Sequence, residues 1–294
     1  MARPTSLNRA KKDILSQFSE ASQKVYSETY IARVLRENRN TWELAESTRV
    51  SDFISFLEKH GELKKYQFRS KHYNRKITRY SWGTASLYEL ALSIKQRAYF
   101  CHATAVTLHG LAKLSRKTIY LNVEQSTKPP GNSSLTQGGI DRAFSGRQRQ
   151  SNLIYTCNAS SIVMIAGKNT NRLGVEEIAG PASETIQVTN LERTLIDIVV
   201  RPAYAGGTSQ LLKVYRTAKG RISVDRLVVI LKQLAYVYPY HQPIGFLMQK
   251  AGYLESGLAQ LRALGLNHDF YLAHGLQQPE YSKDWRLYYP EDLR

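Results

Sequence analysis

Apolar positions recur with helical spacing through the first sixty residues. Leu7, Ala10, Ile14, Leu15 and Phe18 form one stripe and predict a helix over 7–18. Ser27 precedes a second stripe, Tyr30, Ile31, Val34 and Leu35, with Glu28 in its first turn. A serine there caps the helix, and an early acid suits the positive end of its dipole. Asn38-Arg39-Asn40 interrupts the pattern. Thr48 is the predicted cap of a third helix that turns Val50, Phe53, Ile54 and Leu57 inward and stops at Gly61. Residues 63–69 and 76–82 then read as two strands joined through 70–75. Three short helices and a hairpin outline a winged helix-turn-helix over residues 1–83.

The remainder, 84–294, predicts a larger mixed α/β domain, so the fold class is α+β. Helices are expected over 86–94 and 102–111, and strands over 119–123, 154–156, 161–165 and 185–188. Asn190 caps a helix over 191–200 that Pro202 helps to stop, and Gly206-Gly207 follows as a turn. From Ser209 onward the pattern is mainly helical. Residues 128–134, rich in Pro, Gly and Ser, read as an exposed loop.

Charge sharpens the picture. The 294-residue chain carries 41 Lys and Arg against 24 Asp and Glu, a formal net charge of +17. Clustered cations gain affinity for polyanions by releasing counterions from phosphates. The 42% hydrophobic content excludes a disordered chain. Cys101 and Cys157 are the only cysteines and lack a Cys-x-x-Cys spacing, so neither a structural zinc site nor a disulfide framework is expected. The first residues have no apolar h-region and no stretch is long enough to span a bilayer, which predicts a cytoplasmic protein.

Residues 63–80 hold Lys64, Lys65, Arg69, Lys71, Arg75, Lys76 and Arg79, with no acid and with Tyr66, Phe68, Tyr73 and Tyr80 interleaved. Such a hairpin lays cations along a phosphate backbone while its apolar side packs on the helices. On the third helix Arg49, Ser51, Asp52 and Ser55 face outward beside Thr48, short polar groups suited to base edges. Asp52 would repel phosphate unless it accepts from cytosine or pairs with Arg49. Arg33 and Arg36 on the second helix are placed to grip flanking phosphates, or are ordinary surface charges. Arg142, Arg147 and Arg149 read as a solvated loop that could extend the surface.

Enzyme signatures are thin. His102 and His109 lie seven apart, not the four that a helical metal pair prefers, and read as buried or capping histidines. Cys101 beside His102 is a poor nucleophile pair, since adjacent helical residues diverge. No phosphate-binding loop, Gly-x-Ser-x-Gly or His-Glu-x-x-His occurs. Asp52 upstream of Glu62-Leu63-Lys64 matches a metal nuclease weakly, but Asp52 falls early in a helix. No catalysis and no cofactor are expected.

Several stretches resemble the AbiEi family, the antitoxins of type IV abortive-infection toxin–antitoxin systems. They are FISFLEKHGEL (53–63), RYSWGTASLYELAL (79–92), YFCHATAVTLHGL (99–111), LERTLIDIVVRPAYAGG (191–207) and GFLMQKAGY (245–253), in order through most of the chain. The resemblance implies an N-terminal winged helix-turn-helix that binds inverted repeats in its own promoter, as double-stranded DNA, and represses the operon. It also implies that residues after about 84 oppose a nucleotidyltransferase-like toxin. In this sequence the DNA surface would be the basic residues of 48–76. The N-terminal region is longer than the compact winged modules of some relatives. Glu192, Arg193 and Asp197 are polar exceptions on an apolar helix and are expected to form a buried charge network rather than a partner surface. The alternatives are a plain transcription factor with a sensing C-terminal domain, and a DNA-acting nuclease.

Overall fold

The computed structural model describes residues 5–114, 117–127 and 134–293. The proline-rich stretch from 128 lies almost wholly outside the described residues. In chain order the elements are α1 (Ser6–Arg9), α2 (Lys11–Glu20), β1 (Val25–Tyr26), α3 (Glu28–Asn38), α4 (Val50–His60), β2 (Leu63–Ser70), β3 (Lys76–Trp82), α5 (Leu87–Leu92), β4 (Tyr99–Phe100), α6 (His102–Leu108), β5 (Thr118–Glu124) and α7 (Gln137–Ser145). Then come β6 (Ile154–Cys157), β7 (Ser160–Gly167), β8 (Val175–Ala179), β9 (Thr185–Thr189), α8 (Leu191–Val200), α9 (Thr208–Ala218), α10 (Val224–Leu234), α11 (His241–Lys250), α12 (Glu255–Arg262), β10 (Phe270–Tyr271), β11 (Glu280–Ser282) and β12 (Leu287–Tyr289). The α+β class is therefore as the sequence pattern predicts. Among the described residues no helix is long and apolar enough to cross a membrane.

Nine strands form one mixed sheet in the order β1-β3-β2-β6-β7-β5-β4-β9-β8. Strand β2 pairs with β3 on one side and, through Arg69 and Ser70, with β6 on the other. The hairpin is thus built into the sheet of the larger region, and the sheet runs without a break across residue 84.

Cross-strand partners share a face and successive residues alternate, so the pairing register assigns each side chain to one side. One face is covered along its whole width by a single apolar cluster, from Val25, Phe68 and Tyr155 to Ile162, Leu121, Phe100 and Val188, under Leu90, Ala91 and Ala105. The other face has two separate covers. Over β1, β3 and the start of β2, Tyr26, Tyr80, Trp82 and Leu63 pack with Ile14, Phe18, Ile31, Phe53 and Leu57. Over β7 and β5, Val163, Ile165 and Tyr120 pack under Tyr204. The C-terminal helices enclose a third core around Leu195, Tyr215, Ile244, Phe270 and Trp285, closed by the small β10-β12-β11 sheet.

Local chemistry explains the boundaries. Ala10 breaks the first predicted helix in two at φ −85°, ψ 7°. Ser27 caps α3 as expected, accepting from the Tyr30 amide at 3.1 Å. The cap of α4 falls at Arg49 rather than at Thr48, because Asp52 reaches back to accept from the Arg49 amide at 3.1 Å. Gly61 does stop α4, but through extended backbone rather than a left-handed turn, and for want of space: a Cβ there would overlap the Trp82 ring.

Candidate nucleic-acid interface

Between the two covers on the second face lies an open polar strip. The register aligns Lys76 with Arg69, Arg69 with Thr156, Thr156 with Ser161 and Ser161 with Thr118. Two cations and three hydroxyls thus form one row across five strands, roughly 19 Å at the usual strand spacing. Lys65, Gln67 and Thr78 extend it along β2 and β3 toward Tyr80 and Trp82. Lys65, Arg69 and Lys76 are exposed and make no ion pair among the described residues. The Thr156 hydroxyl donates to the Arg69 carbonyl at 3.3 Å, so the row offers its cations and the hydroxyls of Ser161 and Thr118 to phosphate oxygens, with no acid in line.

The other expected residues divide into three groups. Lys64 is exposed but pairs with Ser81, which sets it on the opposite face from Lys65. The expectation of one cationic side and one apolar side is therefore corrected: both faces of the hairpin carry apolar residues, because each packs on a different core. Lys71 and Arg75 sit in the exposed hairpin turn, where the Lys71 amide donates to the Ile154 carbonyl at 2.8 Å. The Arg79 guanidinium is half-buried and engaged. It donates to the carbonyls of Ser93 at 2.9 Å, Thr78 at 2.7 Å and Ile94 at 3.2 Å, tying the end of α5 to β3.

On α4, Arg49, Ser51 and Ser55 are exposed, while Thr48 is half-buried with its carbonyl accepting from Arg39. Asp52 closes the helix's own first turn on the Arg49 amide but stays exposed and makes no ion pair with the Arg49 guanidinium, so its repulsion of phosphate stands. Glu62 lies past the far end of α4, whose last residue, His60, stands about 12 Å along the axis from Asp52. The two carboxylates therefore cannot share a metal. Residues 39–49 between α3 and α4 are far longer than a tight helix-turn-helix connection; buried Trp42 and Leu44 anchor them. Arg33 and Arg36 do not join the strip. They line a separate groove with Lys95 and Arg97.

Several other titratable residues singled out in the sequence are engaged within the fold. Arg193 and Asp197 are buried and 2.7 Å apart, and Glu192 accepts from the Ser223 amide at 3.1 Å. Burial, and then the Asp197 charge, hold the Cys101 thiol well above its ordinary range, against the opposing charges of Arg193 and Arg201. The His109 Nε2 lies 2.6 Å from the Thr189 carbonyl. No group of three or more metal-ligating side chains is assembled among the described residues. Arg142 stands on α7 rather than in a loop, with Arg147 and Arg149 exposed beyond it. The following segment is pinned where the Ser151 amide donates to the Tyr204 hydroxyl at 2.6 Å.

Sequence reasoning missed Thr156, Ser161 and Thr118. They are unremarkable hydroxyls in separate strands, and only the register brings them beside Arg69.

No family model matches the chain, and no curated protein is similar to it in sequence. Its fold is similar to that of the crystal structure of the RV2827C protein from Mycobacterium tuberculosis. The TM-score is 0.57 at 16% identity, over 98% of this chain and 92% of that one.

Proposed function

We propose that the protein binds the DNA of its own promoter and represses it, as the antitoxin of a type IV abortive-infection system. In this reading α2–α4 and the β2–β3 hairpin act as a winged helix-turn-helix. Helix α4 offers Arg49, Ser51 and Ser55 to base edges, and the strip of Lys65, Arg69 and Lys76 follows the phosphates. The observation that carries the proposal is the cation–hydroxyl row on an uncovered sheet face. The antitoxin half rests on the AbiEi resemblance, which also implies a nucleotidyltransferase-like toxin as counterpart; a place in the cytoplasm, at the nucleoid, goes with binding DNA.

The test is a gel-shift titration on a duplex spanning the upstream region of its own gene, with a random duplex as control. Replacing Lys65, Arg69 and Lys76 together by Ala should weaken both complexes at least tenfold. The log–log salt slope should fall by about 3, at about 0.9 per phosphate contact. Replacing Arg49 should narrow the gap between operator and random DNA instead. Unchanged affinity of the triple variant would remove the basis of the proposal. Rescue from the co-expressed toxin should survive in the same full-length triple variant, which separates the two activities. Cutting the chain at residue 84 is unsuitable, because it strips β1, β3 and β2 from the sheet and bares the edge of β6.

A further inference from the structure

A second cationic site lies apart from the strip. An open groove of about 1250 Å³ runs between the outer stripe of α3, the turn from α5 to β4 and the loops after β5 and β7. That exceeds the roughly 300–1,000 Å³ of a small-molecule pocket. Arg33, Arg36, Lys95 and Arg97 stand exposed on its walls. The side chains of Arg36, Lys95 and Arg97 have no hydrogen-bond or ion-pair partner among the described residues, and that of Arg33 has only a 4.0 Å contact with Glu37.

Among the described lining residues the groove has one acid, Glu124, which is tied into the wall and outnumbered by the cations. Burial acts to raise its pKa, but bonds accepted from Tyr99 at 3.1 Å, from the Arg172 amide at 3.2 Å and from Thr170 outweigh it and hold the carboxyl ionised, below the usual range. Its backbone is also unusual. Arg97, Asn171 and Arg172 adopt φ of 61°, 51° and 57°, left-handed conformations that L side chains rarely take and that cluster at functional sites. The Arg172 guanidinium donates to the Arg97 carbonyl at 2.7 Å and so locks two of the three together.

The remaining exposed lining residues are neutral and polar, Gln96, Gln125, Asn169 and Asn171 among them; none is apolar. Half-buried Tyr30, Ala32, Leu92 and Val123 also line it, so an acidic peptide is the competing occupant, separated by the peptide titration. A flexible single strand, whose bases are free to turn toward the amides, suits this concave wall better than a rigid duplex about 20 Å across. We infer that the groove holds a single-stranded nucleic acid, its phosphates on Arg33, Arg36, Lys95 and Arg97 and its base edges against the amides. Tyr30 supplies no stacking platform, since Tyr26 stacks on its ring at 5.0 Å and Arg33 covers it at 4.9 Å. Binding should therefore be salt-sensitive and indifferent to base stacking strength.

The inference stands independently of the promoter reading, and fluorescence anisotropy with a labelled 15-nucleotide oligo(dT) tests it on the full-length chain. Replacing Arg36, Lys95 and Arg97 by Ala should reduce oligo(dT) affinity at least tenfold and lower the log–log salt slope by about 2, at about 0.7 per contact. Arg36→Glu alone should act in the same direction. Both variants should hold promoter duplex as the parent does, and the Lys65, Arg69 and Lys76 triple variant should hold oligo(dT) as the parent does. Unchanged oligo(dT) affinity in the groove variants, or its loss in the strip variant instead, overturns the assignment. So does a protein that ignores oligo(dT) but binds a labelled glutamate-rich peptide through Arg36.

Discussion

Arg193 and Arg69 put the same side chain to opposite uses. Arg193 is sunk in α8 with only 5% of its surface exposed, its Nε donating to Asp197 at 2.7 Å and its Nη1 to the Leu173 carbonyl at 2.8 Å. Arg69 stands on an open sheet face beside a lysine and a threonine, with no carboxylate paired to it. A guanidinium whose donors are taken up inside the protein holds the fold together and offers nothing to a ligand. One left unengaged contributes little to stability and keeps its full charge for a partner. The net charge of +17 counts both alike.

The difference is breakable by substitution. Replacing Arg193 by Ala strands the Asp197 carboxylate in a buried site, which typically costs about 3–5 kcal/mol. Urea unfolding should therefore show a large loss of stability. Replacing both partners, Arg193→Met with Asp197→Leu, should recover most of it. Arg69→Ala should leave the unfolding midpoint within experimental error. Equal midpoints for the Arg193 and Arg69 variants would erase the distinction drawn between them.

A second buried group gives a slightly smaller effect and a pH signature. His102 opens α6 at φ 50°, packs edge-on to Tyr204 at 5.5 Å and leaves its Nδ1 without a hydrogen-bond partner. Burial pushes its pKa down to about 4; Arg201 and Arg193 act in the same direction and Asp197 opposes them. The unfolded chain takes up the proton near pH 6.5 and the folded chain only near 4. Its contribution is therefore intact above pH 6.5 and falls away between the two, by about 3 kcal/mol at most. A plot of unfolding midpoint against pH should drop through that window, and His102→Gln should flatten that part of the drop. A parallel curve for the variant would mean that other groups carry the acid sensitivity.

Much of this was readable from the chain, and the remainder has definite physical reasons for being hidden. Ser27 and Asn190 are caps in the sequence and caps in the structure, because capping needs only the residue and the three after it. The Glu192, Arg193 and Asp197 network was legible as charge on an otherwise apolar helix. The two-residue strands β1 and β4 carry too few positions to show a period, and β10–β12 hide within a stretch whose tyrosines and leucines read as helix. Thr48 lost the cap of α4 to Arg49 because Asp52 closes the turn from three residues on. Lys64 and Lys65 are neighbours in the chain, but alternation along β2 sends them to opposite faces, so a cluster of charge in sequence is divided in space. Arg33 and Arg36 line the groove beside Lys95 and Arg97, sixty residues away in the chain, a proximity that no local pattern encodes.

The smallest effect discriminates most finely, because it falls between the two classes of charge. Asp52 is exposed like Arg69 but engaged like Arg193, its carboxylate closing the first turn of α4 on the Arg49 amide. Asp52→Ala should cost roughly 0.5–1 kcal/mol, the usual worth of an acid at a helix N-terminus, read as a small fall in the unfolding midpoint. If α4 lies against a duplex, removing that negative charge should leave promoter affinity equal to or slightly above the parent's, most visibly at low salt. Should Asp52 instead read a cytosine amino group, the same variant would lose discrimination between operator and random DNA while its stability falls no further. A marked loss of affinity on both duplexes would point to a third outcome, in which the frayed first turn misplaces Arg49 and Ser51. Asp52→Asn keeps an acceptor for the Arg49 amide and would restore binding only in that case.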